Sequence, residues 1–188
     1  MKKGFTLIEL LVVIAILAVL MSVIVITLNP AEMLKKTRDT KRIADLDALR
    51  TAINLYITDV TSPSLGTTIP TCYASQVGGA TTNGSCNTVV SSTNQTIGGS
   101  GWIPINFNSI SSGSPLSSLP LDPKNSTTTS ATTSYVYYYA TKSASTTFEL
   151  NANMESTYYA NGGSGDVESK DGGDDPDLYE VGSDLTLM

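Results

Sequence analysis

A long apolar segment close to the N-terminus constrains this chain more than any other feature. From Leu10 to Ile26 it contains a single polar residue, Ser22. Counted from Phe5 to Leu28 the segment has 24 residues, and as an α-helix it would measure about 36 Å, enough to span a bilayer with some tilt. Lys2 and Lys3 precede it and predict an N-terminus in the cytoplasm, with the rest of the chain exported. The sequence therefore predicts a single-pass protein of the cytoplasmic membrane.

Other export signals fit the segment less well. A secretory signal peptide has an apolar core of about 7–15 residues and a small-x-small cleavage site, whereas this run is longer and no such site follows. A lipoprotein signal ends in a cysteine, which is missing here. A plain signal anchor fits the length but leaves Glu9 unexplained, because a charged side chain at the centre of a membrane helix costs about 2.5–3.5 kcal/mol. Glu9 lies near the end, where the cost is smaller, but it still needs a partner.

The residues around Glu9 carry a resemblance to a known family. GFTLIE (4–9), after a short basic leader and before about 15 apolar positions, resembles the cleavage and methylation signature of type IV pilins, type II secretion pseudopilins and competence pilins. The resemblance implies that a prepilin peptidase cuts between Gly4 and Phe5 and methylates the new amino group of Phe5. It also implies that Glu9 pairs with the Phe5 amine of a neighbouring subunit during assembly. The alternative for Glu9 is a carboxylate that reaches the lipid headgroups.

A second, amphipathic helix is predicted after the membrane segment. Asn29-Pro30 predicts a kink. Apolar residues then recur every three to four positions, at Ile43, Leu46, Leu49 or Arg50, Ile53, and Tyr56 or Ile57. The basic residues in this part predict a solvated or interfacial face: Lys35, Lys36, Arg38, Lys41 and Arg42.

The expected fold is α+β, with a long N-terminal helix packed on a small antiparallel sheet, as the resemblance implies. The predicted divisions are a cleaved leader (1–4), a transmembrane or filament-core helix (5–28), an amphipathic helix (29–60) and a globular head (61–188). In the head, 135–140 and 147–154 are typical of strands and predict a hairpin at about 135–154, with Phe148, Leu150, Ala152 and Met154 on one face. The only tryptophan, Trp102, is predicted to lie in the core with Ile103, Ile105 and Phe107, the last three in a short edge strand.

Two cysteines, Cys72 and Cys86, lie in a stretch rich in Gly, Ser and Thr. A disulfide between them would close a loop of roughly 15 residues and stabilise the fold by about 3 kcal/mol. It would also indicate an oxidising, extracytoplasmic location. The alternative is a pair of free thiols.

The C-terminal part is strongly acidic. Of the 17 acidic residues, eight lie within 166–184: Asp166, Glu168, Asp171, Asp174, Asp175, Asp177, Glu180 and Asp184. Carboxylates around glycines are typical ligands of Ca²⁺, which takes 6–8 oxygens, and major pseudopilins are similar in binding Ca²⁺ in a C-terminal loop. Asp171, Asp174, Asp175 and Asp177 are therefore candidate calcium ligands, the alternative being a solvated acidic loop.

Composition narrows the function further. The chain has no histidine and a formal net charge of −6, which excludes a histidine-based catalytic triad and disfavours nucleic acid as a direct partner. No catalytic residue and no required cofactor is expected. Three triplets match the glycosylation pattern, at Asn83, Asn94 and Asn125.

Three functions remain open. The first is a structural subunit of a type IV pilus-like filament, built as a homo-oligomer on an inner-membrane assembly platform. The second is a pseudopilin of a type II secretion system, which acts in protein export. The third is a membrane-anchored adhesive or ligand-binding ectodomain that never polymerises.

Overall fold

Two consecutive helices form the N-terminal third of the chain. The computed structural model describes residues 4–76, 84–126, 133–142 and 146–188, without the side chains of 25–28. Helix α1 spans Leu7–Leu28 and α2 spans Pro30–Asp59. Between them Asn29 adopts a left-handed conformation, with φ 41°, and its side chain accepts a hydrogen bond from the Glu32 N–H at 3.4 Å. Asparagine tolerates this conformation, and Pro30 has no N–H to continue the helix. The predicted kink is therefore a complete break.

A five-stranded sheet forms the centre of the head. Its strands are β1 (Thr71–Ala74), β2 (Thr88–Ser91), β3 (Tyr138–Lys142), β4 (Thr147–Ala152) and β5 (Tyr179–Gly182), in the order β2-β1-β3-β4-β5. The β1–β2 pair is parallel and the other pairs are antiparallel. The α+β architecture expected from the sequence is confirmed, with a larger and mixed sheet.

The larger core lies between α2 and one face of the sheet. Leu46, Leu49, Ala52, Ile53 and Tyr56 of α2 are buried there against strand residues. The strand side chains in this core are Tyr73, Tyr139, Phe148, Leu150, Ala152 and Val181. The 3.6-residue period of α2 and the two-residue period of β4 thus both place apolar side chains where the sequence predicted them.

The opposite face of the sheet is covered as well. A second, smaller core contains Cys72, Ala74, Val136, Tyr138, Ala140, Cys86, Leu187 and Met188. Consecutive tyrosines of β3 divide between the two cores, because side chains alternate along a strand. The sheet is therefore buried on both faces, which the alternating pattern of a half-buried hairpin did not predict.

Several predicted boundaries were wrong. Strand β3 begins at Tyr138 and not at Tyr135, which forms an isolated bridge with Ser126. Part of the predicted hairpin turn, residues 143–145, lies outside the described residues. Residues 103–107 do not form a strand, since Asn106 makes a single bridge and a 3₁₀ turn begins at Phe107.

The predicted burial of this segment is nevertheless confirmed. Trp102, Ile103, Ile105 and Phe107 are all at most 1% exposed, and the indole N–H of Trp102 donates to the Pro120 carbonyl at 2.9 Å. Packing, the indole hydrogen bond and backbone hydrogen bonds from the Trp102 and Phe107 N–H groups to the Asn94 and Ile97 carbonyls hold this segment outside the sheet.

Candidate functional site

The start of α1 carries the residues that the sequence singled out. Gly4, Phe5 and Thr6 precede the helix without regular structure, and Thr6 is the N-cap residue. The Glu9 carboxylate accepts hydrogen bonds from the Thr6 N–H at 2.9 Å and the Thr6 hydroxyl at 2.8 Å. In return the Glu9 N–H donates to the Thr6 hydroxyl oxygen at 3.3 Å. Together these bonds form a capping box that fixes the first turn of the helix.

This capping box gives Glu9 a partner within its own chain. This partner is neutral, and the pattern Thr6-x-x-Glu9 before an apolar run is the one that predicts such a capping box. The carboxylate is held at the very end of the apolar helix. It remains exposed, as does the Phe5 side chain.

The rest of α1 offers a continuous apolar surface with no cover. Every described side chain from residue 4 to 24 is exposed, and the segment Leu7–Ile24 is long and apolar enough to cross a membrane. Monomeric proteins in water rarely expose apolar patches of more than a few hundred Å². This helix therefore fits membrane anchoring, or a lateral contact with other apolar helices.

A buried network of charges joins α2 to the head. Arg42 is fully buried, and its guanidinium binds Asp122 through two hydrogen bonds of 2.6 and 2.9 Å. It also donates to Asp39 at 2.7 Å and to Glu155 at 3.0 Å. Arg38 adds a bidentate pair to Glu155, at 2.8 and 2.6 Å. The predicted solvated basic face is therefore wrong for Arg42.

Two backbone N–H groups complete the hydrogen bonding of this network. Asp39 accepts from the N–H groups of Glu155 and Ser156. Burial opposes the ionisation of Glu155, but hydrogen bonds from Arg38 and Arg42 outweigh it and hold the pKa of Glu155 at about 2. Removal of one partner from buried charges of this kind is strongly destabilising, because the remaining charge is left uncompensated. Here the bonds tie α2 to the segments that carry Asp122 and Glu155.

The two cysteines form the predicted disulfide. Cys72 of β1 and Cys86, just before β2, are bonded with their Cα atoms 5.6 Å apart. Both side chains are fully buried in the smaller core. The bridge therefore links the parallel β1–β2 pair at one edge of the sheet.

The four candidate calcium ligands are engaged separately where the structure gives their contacts. Asp171 accepts from the N–H groups of Gly173 and Glu180, Asp175 accepts from the Asp177 N–H, and Asp177 accepts from the Asn161 amide. Within the described residues no group of three or more acidic or cysteine side chains is arranged to hold a metal ion. Calcium binding by Asp171, Asp174, Asp175 and Asp177 stays a prediction.

The alternative of a solvated acidic loop was wrong for part of this segment. Asp166, Glu168 and Glu180 are 7%, 4% and 1% exposed, and Glu180 lies in strand β5. Beside it on β4 lies Glu149, fully buried, whose carboxylate accepts from the N–H groups of Leu187 and Met188. Burial raises the pKa of both Glu149 and Glu180, and their proximity raises that of Glu180 further. Burial and the proximity of the two carboxyls therefore favour the neutral form of this pair.

Some sequence features cannot be placed. Lys2 and Lys3 of the leader lie outside the described residues, and so do Asn83 and Thr127 of two glycosylation triplets. Asn94 of the third triplet is exposed, but its side-chain amide donates to the Ser100 carbonyl at 2.7 Å.

Comparison with known proteins places one part of the chain. Residues 1–25 match the family model of the prokaryotic N-terminal methylation motif, the prepilin-type signal of type IV pilins and pseudopilins. Neither the curated proteins nor the solved structures that were searched contain a match to the chain. The matched residues include Gly4, Phe5, Thr6 and Glu9, and they end within α1.

Proposed function

We propose that this chain, which carries a prepilin-type signal at residues 1–25, is a structural subunit of a type IV pilus-like filament. A prepilin peptidase cuts it between Gly4 and Phe5 and methylates Phe5. The subunit then leaves the cytoplasmic membrane, where its N-terminus faced the cytoplasm, and joins an extracytoplasmic helical homo-oligomer. Its partners before assembly are lipid, the peptidase and an inner-membrane assembly platform.

The observation that carries this proposal is the matched motif leading into an apolar helix that none of the described residues covers. The side chains of α1 are exposed along the described part of the helix, whereas the head buries both faces of its sheet. A lipid bilayer covers such a helix before assembly, and the α1 helices of neighbouring subunits cover it afterwards. The same surface then serves as anchor and as filament core.

The geometry at Gly4 supports a processing role. A Cβ added to Gly4 would meet no atom of the described residues within 4 Å, so packing in that part of the chain does not require glycine there. A requirement for glycine at this position would come from the enzyme that recognises it. Gly4→Val is therefore a clean variant, because it blocks cleavage without disturbing the fold.

Mass spectrometry of the protein from its native membrane tests the proposal. The expected mature chain lacks residues 1–4 and carries one methyl group on Phe5, and Gly4→Val retains the leader. An unprocessed leader in cells that process another prepilin would refute the proposal and favour a non-polymerising anchored ectodomain.

Two variants separate the charge of Glu9 from its capping role. Glu9→Gln keeps an acceptor for the capping box, since glutamine also completes it, but removes the negative charge. Thr6→Ala removes the cap and keeps the charge. If Glu9 pairs with the Phe5 amine of a neighbour, Glu9→Gln is processed but fails to enter filaments, while Thr6→Ala assembles. Normal assembly of Glu9→Gln would refute the charge pairing.

A pseudopilin of type II secretion is the second candidate, favoured by the acidic stretch 166–184. Detection of filaments of this protein at the cell surface would support a pilus subunit. Loss of protein export on deletion, without surface filaments, supports the pseudopilin.

A further inference from the structure

Strand β2 leaves one edge of the sheet open. It pairs with β1 on one side, and no strand of the described chain pairs with its other side. The N–H groups of Thr88 and Ser92 donate to carbonyls beside and within β1, and the residues between them alternate in the direction of their backbone groups. Val89 and Ser91 therefore direct their N–H and C=O groups away from β1, where these groups have no hydrogen-bond partner among the described residues.

The opposite edge of the sheet is protected, whereas the β2 edge is not. On β5 the Glu180 N–H points away from β4 and donates to the Asp171 carboxylate at 2.6 Å. Natural sheets protect their edges with charged side chains, prolines or covering segments, because an unpaired edge can pair with another strand. The sequence of β2 is TVVS, which contains neither a charge nor a proline, and Val90 is 45% exposed.

The β2 edge also lies in the uncharged part of an acidic chain. Residues 60–121, which include both β1 and β2, contain no Asp, Glu, Lys or Arg, although the formal net charge of the chain is −6. Juxtaposed like charges oppose association. Two copies that meet at β2 bring no charged side chains of this segment together, whereas two copies that meet at the acidic β5 edge would. Charge therefore favours a second copy of this chain as the occupant of the β2 edge.

We propose that the β2 edges of two copies pair with each other, antiparallel, about a two-fold axis. The register that uses every unpaired group places Val90 opposite Val90 of the second copy and Val89 opposite Ser91 of the second copy. Each Val89–Ser91 pair then exchanges two N–H···O=C hydrogen bonds. The two Val90 side chains face each other as a non-hydrogen-bonded pair, the arrangement in which cross-strand side chains lie closest. Two exposed valines thereby cover one another.

In a filament, this contact would lie between neighbouring filaments and not along one, a consequence that rests on the proposed function. A helical filament repeats a head-to-tail contact between two different surfaces, whereas a two-fold contact pairs one surface with itself. An edge of four residues offers few hydrogen bonds to a single pair of subunits. Filaments present many copies of it at once, so that weak contacts add up through multivalency. We therefore expect the β2 edge to bundle filaments laterally.

Disulfide cross-linking of the full-length chain in detergent micelles tests the register, with oxidised glutathione as the oxidant. Val90→Cys places two thiols opposite each other, with Cα atoms about 4.5 Å apart, a separation that a disulfide can span. Thr88→Cys is the matched control, because Thr88 is exposed on the same strand and the same face but lies about 13 Å from its counterpart in this register. The native cysteines do not compete, since they are bonded to each other and buried.

We expect the covalent dimer to form about tenfold faster with Val90→Cys than with Thr88→Cys, because pairing raises the effective concentration of the two thiols. Equal rates for the two variants, or no dimer from Val90→Cys, would overturn the proposal. This result does not depend on filament assembly.

Electron microscopy of filaments from cells tests the bundling. Val90→Lys places like charges directly opposite each other, which is destabilising, and lysine on an edge strand opposes pairing. Val90→Thr is the control, because it keeps a β-branched, uncharged side chain. We expect single filaments from Val90→Lys and bundles from the unchanged chain and from Val90→Thr. Bundles of Val90→Lys as large as those of the unchanged chain would contradict the proposal. If the unchanged chain forms no filaments, the proposed function fails, and the cross-linking result alone decides whether the β2 edges pair.

Discussion

Arg42 provides the sharpest test of how the head is held together. Arg42→Met replaces the guanidinium with an apolar side chain that fills much of the same space. The substitution removes all four hydrogen bonds to Asp39, Asp122 and Glu155. The three carboxylates remain almost completely buried, with side chains at most 4% exposed.

The size of the effect follows from what each carboxylate retains. Asp39 keeps two backbone N–H donors, Asp122 keeps those of Lys124 and Asn125, and Glu155 keeps Arg38. Removal of one partner from a buried charge pair costs about 3–5 kcal/mol, because the remaining charge is left uncompensated. In a chain of this size each kcal/mol lowers the melting temperature by about 2–4 °C, so we expect a decrease of about 6–20 °C.

Fluorescence of Trp102 reports the unfolding directly, since it is the only tryptophan and is 1% exposed in the larger core. Thermal and urea unfolding of the full chain in detergent micelles would be compared with those of Arg50→Met. Arg50 pairs with Asp47 on the surface, with both side chains nearly half exposed, and loss of such a pair costs about 0–1 kcal/mol. If Arg42→Met is no more destabilising than Arg50→Met, the network does not hold α2 on the head.

Three further predictions concern the sheet and its surroundings. Burial and proximity raise the pKa of the Glu149–Glu180 pair in the folded chain, so we expect the stability to fall as pH rises above the unfolded carboxyl pKa of about 4.3. Glu180→Gln is therefore expected to make the free energy of urea unfolding less dependent on pH between 5 and 9, and larger at pH 8 than in the unchanged chain. Equal pH dependence of the two proteins would contradict this. Replacing Cys72 and Cys86 with alanine lowers the free energy of unfolding by about 3 kcal/mol, measured under oxidising conditions, and an unchanged value would show that the bridge is dispensable. Gly101→Ala brings a Cβ against a backbone carbonyl and a core leucine, and we expect it to cost about 1–3 kcal/mol of stability. Gly98→Ala, whose Cβ would have its nearest atom at 3.3 Å, is expected to be tolerated. Similar unfolding curves for both variants would refute the steric argument.

The helices were predictable because their signals are local. The apolar run of α1 and the spacing of Leu46, Leu49 and Ile53 in α2 depend on neighbours within a few positions. The burial of Arg42 was not predictable in this way, since Asp122 and Glu155 lie 80 and 113 residues from it in sequence. Viewed alone, Asp39 and Arg42 look like a surface pair one helical turn apart.

The sheet was predicted only where its pattern alternates. β4 shows clear alternation, but β1 and β2 lie in a Ser/Thr/Gly-rich stretch, and their parallel pairing joins segments 17 positions apart in register, as Thr71 and Thr88 show. The acidic composition around Glu180 favours a loop, whereas strand β5 is defined by its pairing with the distant strand β4. In the candidate site, the local motif predicts the roles of Gly4, Phe5 and Glu9, and the capping box adds Thr6, three residues before Glu9.

The break at Asn29 has a mechanical consequence. The two helices are joined through one left-handed residue, and the first side chain of α2 to be buried in the head is Asp39. A tensile load between α1 and the head therefore acts first on the dihedral angles of Asn29, whose left-handed conformation costs roughly 1–2 kcal/mol relative to a right-handed helix. Rotation about the backbone of Asn29 would redirect α1, while α2 is tied to the head from its first turn by the bonds of Glu32 to Thr157. The direction of α1 relative to the head is therefore set by the dihedral angles of a single residue, Asn29.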